Sequence, residues 1–107
     1  MHDSIRRRPT SPGEILSELY LRPRKISIAR FAEAAGLTRK HMSAIVNGRA
    51  AITADSASRI AFVLGTTPQF WLNLQNAVDL YEVAKSLRKV RKHLKRLADI
   101  PEVREAA

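Results

Sequence analysis

At 107 residues the chain can form one domain with a modest core, and its lack of cysteine excludes disulfides and thiolate metal sites. Nineteen Lys and Arg against ten Asp and Glu leave a formal net charge of +9, which favours a polyanion such as nucleic acid over an acidic small substrate. No apolar run reaches the ~18 residues that span a bilayer, and none follows the basic start MHDSIRRRPTS as a secretory leader requires, so a soluble cytoplasmic protein is expected.

Residues 1–10 read as a flexible basic arm, with Arg6, Arg7 and Arg8 just before Pro9. Such an arm could enter a minor groove or remain a disordered tail. Ser11, Pro12 and Glu14 form the cap, first-position proline and capping box of a first helix. Ile15, Leu16, Leu19 and Tyr20 give that helix one apolar side, and Pro23 stops it. Ser27 can cap a second helix running to Ala35, and Thr38 a third ending at Asn47–Gly48.

The stretch Ile28 to Asn47, IARFAEAAGLTRKHMSAIVN, carries the most information. Ala32 is small where two crossing helices approach most closely, and Gly36 can take the positive φ that lets the chain leave the first of them. Leu37, Met42 and Ile45 then share a core with Ile28 and Phe31. Thr38, Arg39, Lys40, Ser43 and Asn47 remain outward as a face of cations and hydrogen-bonding groups. A helix-turn-helix presents such a face to the major groove, although hairpins without DNA function share its core pattern. Arg39 and Lys40, in the first turn, could donate to guanine O6 and N7 or hold a phosphate. His41 could touch a base or lean on the second helix. Ser27 and Thr53, as caps, mark amide-bearing helix starts that could meet phosphates, and Arg49 in the following loop is a third phosphate candidate.

After a connection from Arg49 to Ile52, Thr53 can cap a fourth helix, where Ala57, Ile60, Ala61 and Leu64 keep helical spacing until Gly65. Thr67–Pro68 opens a fifth, with Phe70, Leu74, Ala77, Val78 and Tyr81 on one side and Trp71 beside them. No alternating strand pattern occurs. The fold expected is all-α, with five helices around one core over residues 11–82. From Leu80 into the tail of residues 83–107, Leu80, Val83, Leu87, Val90, Leu94 and Leu97 form a heptad seam, so helix five could extend to about Ala98. Lys85, Arg88, Lys89, Arg91, Lys92, Lys95 and Arg96 make this segment a basic amphipathic helix. Its flanking positions Ala84, Ser86, Arg91, His93 and Ala98 offer no opposite-charge pairing, which favours packing on the core or docking on a partner over a parallel zipper, with a solvated tail as the alternative.

Enzymatic readings lack parts. His2, His41 and His93 are scattered, no His or carboxylate cluster has ligand spacing, no glycine-rich loop cradles phosphate, and no serine has nucleophile-elbow context. No enzyme activity, metal or cofactor is expected.

Several strings point to one family. Pro12–Gly13–Glu14–Ile15–Leu16, Asn47–Gly48–Arg49–Ala50, Leu64 through Gln75 and Asp79–Leu80 together resemble the HigA-type (VapI-like) antitoxins of the λ-repressor-like helix-turn-helix class, over about residues 9 to 82. The resemblance implies a homodimer that binds double-stranded operator DNA, represses its own operon and neutralises a RelE/HigB-like mRNA endonuclease. A stand-alone regulator without a toxin is the alternative. It also implies base reading by Thr38, Arg39, Lys40, Ser43 and Asn47, phosphate contacts by Ser27, Arg49 and Thr53, and a dimer contact around Trp71, Leu74, Gln75 and Val78. Ser56 and Ser58 stand where larger apolar residues fit that family pattern, so looser packing of helix four is expected. RelE-like toxins are usually basic, so the basic tail would repel one. Either the toxin binds elsewhere or the tail serves another partner, such as more DNA.

Overall fold

The computed structural model describes residues 7–101. Five α-helices and no strand are found among them, each helix opening at a hydroxyl cap. The first, α1, covers Pro12–Ile15 and runs on as a π-helical segment, Leu16–Leu21. Its capping box is complete: the Glu14 N–H donates to Ser11 Oγ at 3.2 Å, and the Ser11 N–H donates to Glu14 Oε1 at 3.0 Å. The π-helical register, closed by an Arg22 N–H to Ser17 carbonyl bond of 2.9 Å, brings Leu21 beneath Leu16, and both are buried. Leu19, expected on the apolar side, is turned outward by the same register and lies 58% exposed.

The helix α2 (Ile28–Ala35) ends at Gly36, whose φ of 71° turns the chain into α3 (Arg39–Val46). Arg59 Nη1 donates to the carbonyls of Ala35 and Gly36, both at 3.2 Å, and so satisfies the end of α2 from another helix. The helices α4 (Ala54–Leu64) and α5 (Pro68–Val90) follow. Phe31, Ala32, Met42, Ile45, Ile60 and Trp71 sit at the centre of the core, with Leu16 closing it from α1. The tightest approach is at Gly13, where an added Cβ would stand 2.2 Å from the Ile45 carbonyl oxygen. The start of α1 therefore rests on the backbone at the end of α3.

Three expectations are corrected. Helix four is not loosely packed: Ser56 is buried because its Oγ accepts from the Thr53 N–H at 2.9 Å, completing a second capping box. Ser58 is exposed and donates to the Ala54 carbonyl, a position where no larger residue is needed. Helix five stops at Val90 rather than near Ala98, and 3₁₀ turns follow at Arg91–His93 and Leu97–Asp99. Like charges four apart, Arg88 with Lys92 and Arg91 with Lys95, oppose helix there, and no packing offsets them. The apolar seam does not return to the core either. From Glu82 to Asp99 every residue is exposed, and Leu80, Val83, Leu87 and Val90 face solvent. No helix among the described residues is long and apolar enough to cross a membrane.

Candidate nucleic-acid interface

The helix α3 buries Met42 and Ile45 against the core and turns Arg39, Lys40 and Asn47 outward, with Ser43 half-buried between them. No ion pair among the described residues holds Arg39, Lys40 or Arg49, so their charge is available to a ligand. Thr38 has a structural task first: its Oγ1 accepts the His41 N–H at 3.0 Å as the α3 cap. Its own hydroxyl proton stays free to donate. His41 is half-buried, which sets its ring partly against the protein rather than fully toward a groove. The Asn47 amide donates to the Ser43 carbonyl at 2.9 Å and lies 3.3 Å from Ser43 Oγ. This local pair must open if the Asn47 amide is to donate to a base.

Two further helix starts flank α3. Ser27 Oγ accepts the Arg30 N–H at 3.1 Å, which leaves the Ile28 and Ala29 amides without partners inside α2. Ser27 and Asn47 line the same groove, about 500 Å³, so the start of α2 and the end of α3 form one surface. Glu14 and Glu18 line its other side and mark where that surface turns unfavourable for phosphate. Thr53 caps α4 in the same manner, but Asp55 stands in that first turn and is neutralised by Arg59 at 2.9 Å. Arg49 shares a cleft of about 230 Å³ with Arg8, Gln75, Asp79 and Glu82. Arg8 donates to Glu82 at 3.1 Å, fastening the residues before α1 to α5. Arg7 is exposed, and Arg6 lies outside the described residues.

The helix-turn-helix family pattern matches residues 18–71. "Antitoxin HigA-1" of Vibrio cholerae is 41% identical over 92 residues, which are 86% of this chain and 87% of the relative. The chain is of the HigA type, within the helix-turn-helix family. An Escherichia coli relative, "Uncharacterized HTH-type transcriptional regulator YbaQ", is 45% identical over 82 residues, 77% of this chain and 73% of the relative. Among solved structures, "antitoxin GraA in complex with its operator" superposes with a TM-score of 0.77 at 37% identity, covering 85% of this chain and 93% of that one.

Within this HigA-type fold, part of the expected dimer segment is core. Trp71 is 0% exposed, with Nε1 donating to Thr66 Oγ1 at 2.8 Å and its ring against Tyr20 and Phe70. A partner cannot reach it. Val78 is also buried, whereas Leu74 and Gln75 keep part of their surface. Gln75 accepts the Ile52 N–H at 2.8 Å, tying the loop after α3 to α5. Sequence reasoning passed over Arg30, an exposed cation in the first turn of α2, although its place three residues after a cap signals it. It also passed over the positioning role of Gly13 and Arg59, for which no local pattern exists.

Proposed function

We propose that this HigA-type chain is an operator-binding antitoxin that dimerises, represses its own operon and neutralises a RelE/HigB-like mRNA endonuclease. The observation that carries the DNA part is a helix whose one side is core and whose other side turns Arg39, Lys40 and Asn47 outward beside the half-buried Ser43, with neither cation in an ion pair among the described residues. Thr38 belongs to the same face through its hydroxyl, and Ser27, Arg49 and Thr53 bound it as phosphate contacts. The relatives support this reading, since GraA was solved with its operator. A dimer sets two α3 helices about 34 Å apart, one turn of B-DNA, and so reads a palindrome. Leu74 and Gln75, beside the 40% exposed Phe70, make the dimer contact, with Trp71 and Val78 as the floor behind them.

Toxin docking on the basic arm is opposed by like charge. The better seat is α4, where Phe62 is 89% exposed beside Ala34, Ala35 and Val63 while Asp55 and Arg59 neutralise each other. Titration of the protein with DNA from upstream of its own gene, against scrambled duplex, tests the operator reading. Arg39→Ala and Lys40→Ala are each expected to cost about 1–3 kcal/mol and relax preference at one base position. Unchanged preference in both variants removes the recognition role of α3. Co-expression with the neighbouring gene product tests the toxin: capture is expected, and Phe62→Ser is expected to abolish it while DNA binding persists. The likeness to YbaQ favours a second reading, a regulator with no toxin. A neighbouring gene that encodes no small basic protein supports it.

A further inference from the structure

The cationic excess of the chain does not reside on its helix-turn-helix body. Between Pro12 and Glu82 eight Lys and Arg stand against six Asp and Glu, whereas between Val83 and Pro101 seven stand against Asp99 alone. All seven are exposed, and no ion pair among the described residues engages them. Lys85 Nζ lies over the Tyr81 ring, 5.6 Å from its centre, a weak cation–π contact on an exposed residue. The longest dimension of the molecule is 60 Å against 34 and 23 Å. The segment Val83–Pro101, at +6 of the +9, thus carries most of the net charge on an arm with no packing duty.

We propose that this arm is a second, sequence-independent nucleic-acid contact, in which its cations lie along the phosphate backbone of duplex DNA while α3 reads bases. The proposal rests on the operator reading above and adds a partner surface to it. Duplex DNA carries one negative charge per ~1.7 Å of axis, and each phosphate neutralised releases counterions and adds affinity for any sequence. The arm adds seven cations to the Arg39, Lys40 and Arg49 that the body offers. An acidic protein fits less well. At 3.6 residues per turn, Lys85, Arg88 and Lys89 fall on the side of α5 away from Leu80, Val83, Leu87 and Val90. A protein seated on that apolar stripe meets Ala84 and Ser86 at its edges, not the cations, whereas a phosphate backbone needs only the cationic side.

The test uses the full chain carrying Lys85→Gln, Arg88→Gln, Lys89→Gln and Lys92→Gln together. These positions touch nothing in the core, and Gln keeps helix propensity. Wild type and variant are titrated over a salt series with DNA from upstream of the gene and with scrambled duplex of equal length. The plot of log affinity against log salt is expected to become shallower by about 3–4 for each bound protomer, at ~0.9 for each phosphate no longer neutralised. Both duplexes are expected to lose affinity by the same factor, at least about tenfold, with their ratio kept. Unchanged slope and affinity with promoter preference intact overturns the role of the arm and leaves the operator reading standing. Loss of the ratio overturns its sequence independence. If wild type binds both duplexes equally and the variant still loses slope, the role of the arm stands and the operator reading falls. If wild type binds neither, both fall.

Discussion

A Cβ on Gly13 would lie 2.2 Å from the Ile45 carbonyl oxygen and 2.6 Å from that of Val46, so α1 sits directly on α3. Gly13→Ala must therefore push the two helices apart. A loss of about 2–3 kcal/mol is expected from overpacking against backbone, read as a lower urea midpoint, together with weaker operator binding because α3 shifts. Glu14, in the next position, carries a pH signature. Hydrogen bonds from Ser11, its backbone N–H first and then its side chain, hold the Glu14 carboxyl below its ordinary value of 4.5, and Arg8 adds to this. A folded-state pKa below the unfolded one gives stability that is complete above about pH 4.5 and is lost as pH falls through the lower folded value. Glu14→Gln is expected to flatten the stability profile in that acid range and leave its neutral part unsloped, as denaturant titrations at several pH values will show.

At the scale of the elements, caps and cross-ties do more than propensity. Ser56→Ala removes half of the α4 capping box and is expected to cost about 1 kcal/mol, whereas Ser58→Ala, at the exposed position two residues on, should stay within about 0.5 kcal/mol of wild type. Gln75→Ala leaves the N–H of the buried Ile52 without its 2.8 Å acceptor. About 1–3 kcal/mol is expected to be lost, with faster hydrogen exchange at the Ile52 amide as the specific readout. The helix starts were legible because capping is local: Ser11, Ser27, Thr38, Thr53 and Thr67 each accept the expected amide. The π-helical run at Leu16–Leu21 was not, since spacing assumes 3.6 residues per turn and the extra residue changes which leucine faces inward.

For the whole molecule, the body and the arm separate by charge and by burial. Removal of residues 91–107 is expected to leave denaturant stability within about 0.5 kcal/mol, because nothing from Arg91 to Asp99 is buried. Midpoint measurements on the shortened chain check this. The outward polar face of α3 was legible because exposure on that helix follows from its period once Met42 and Ile45 are assigned inward. The arm was legible in composition but not in conformation.

Local chemistry in the chain was enough to determine five helices, their caps, the glycine hinge and the outward cations of α3. Tertiary structure decided that Trp71 is core, that Gly13 and Arg59 position the helix pair, that helix five ends at Val90 and that the basic segment beyond the body stays exposed. The division has a physical cause. Caps and periodicity depend on neighbours within a few residues, whereas burial and closest approach depend on residues brought together from distant parts of the chain.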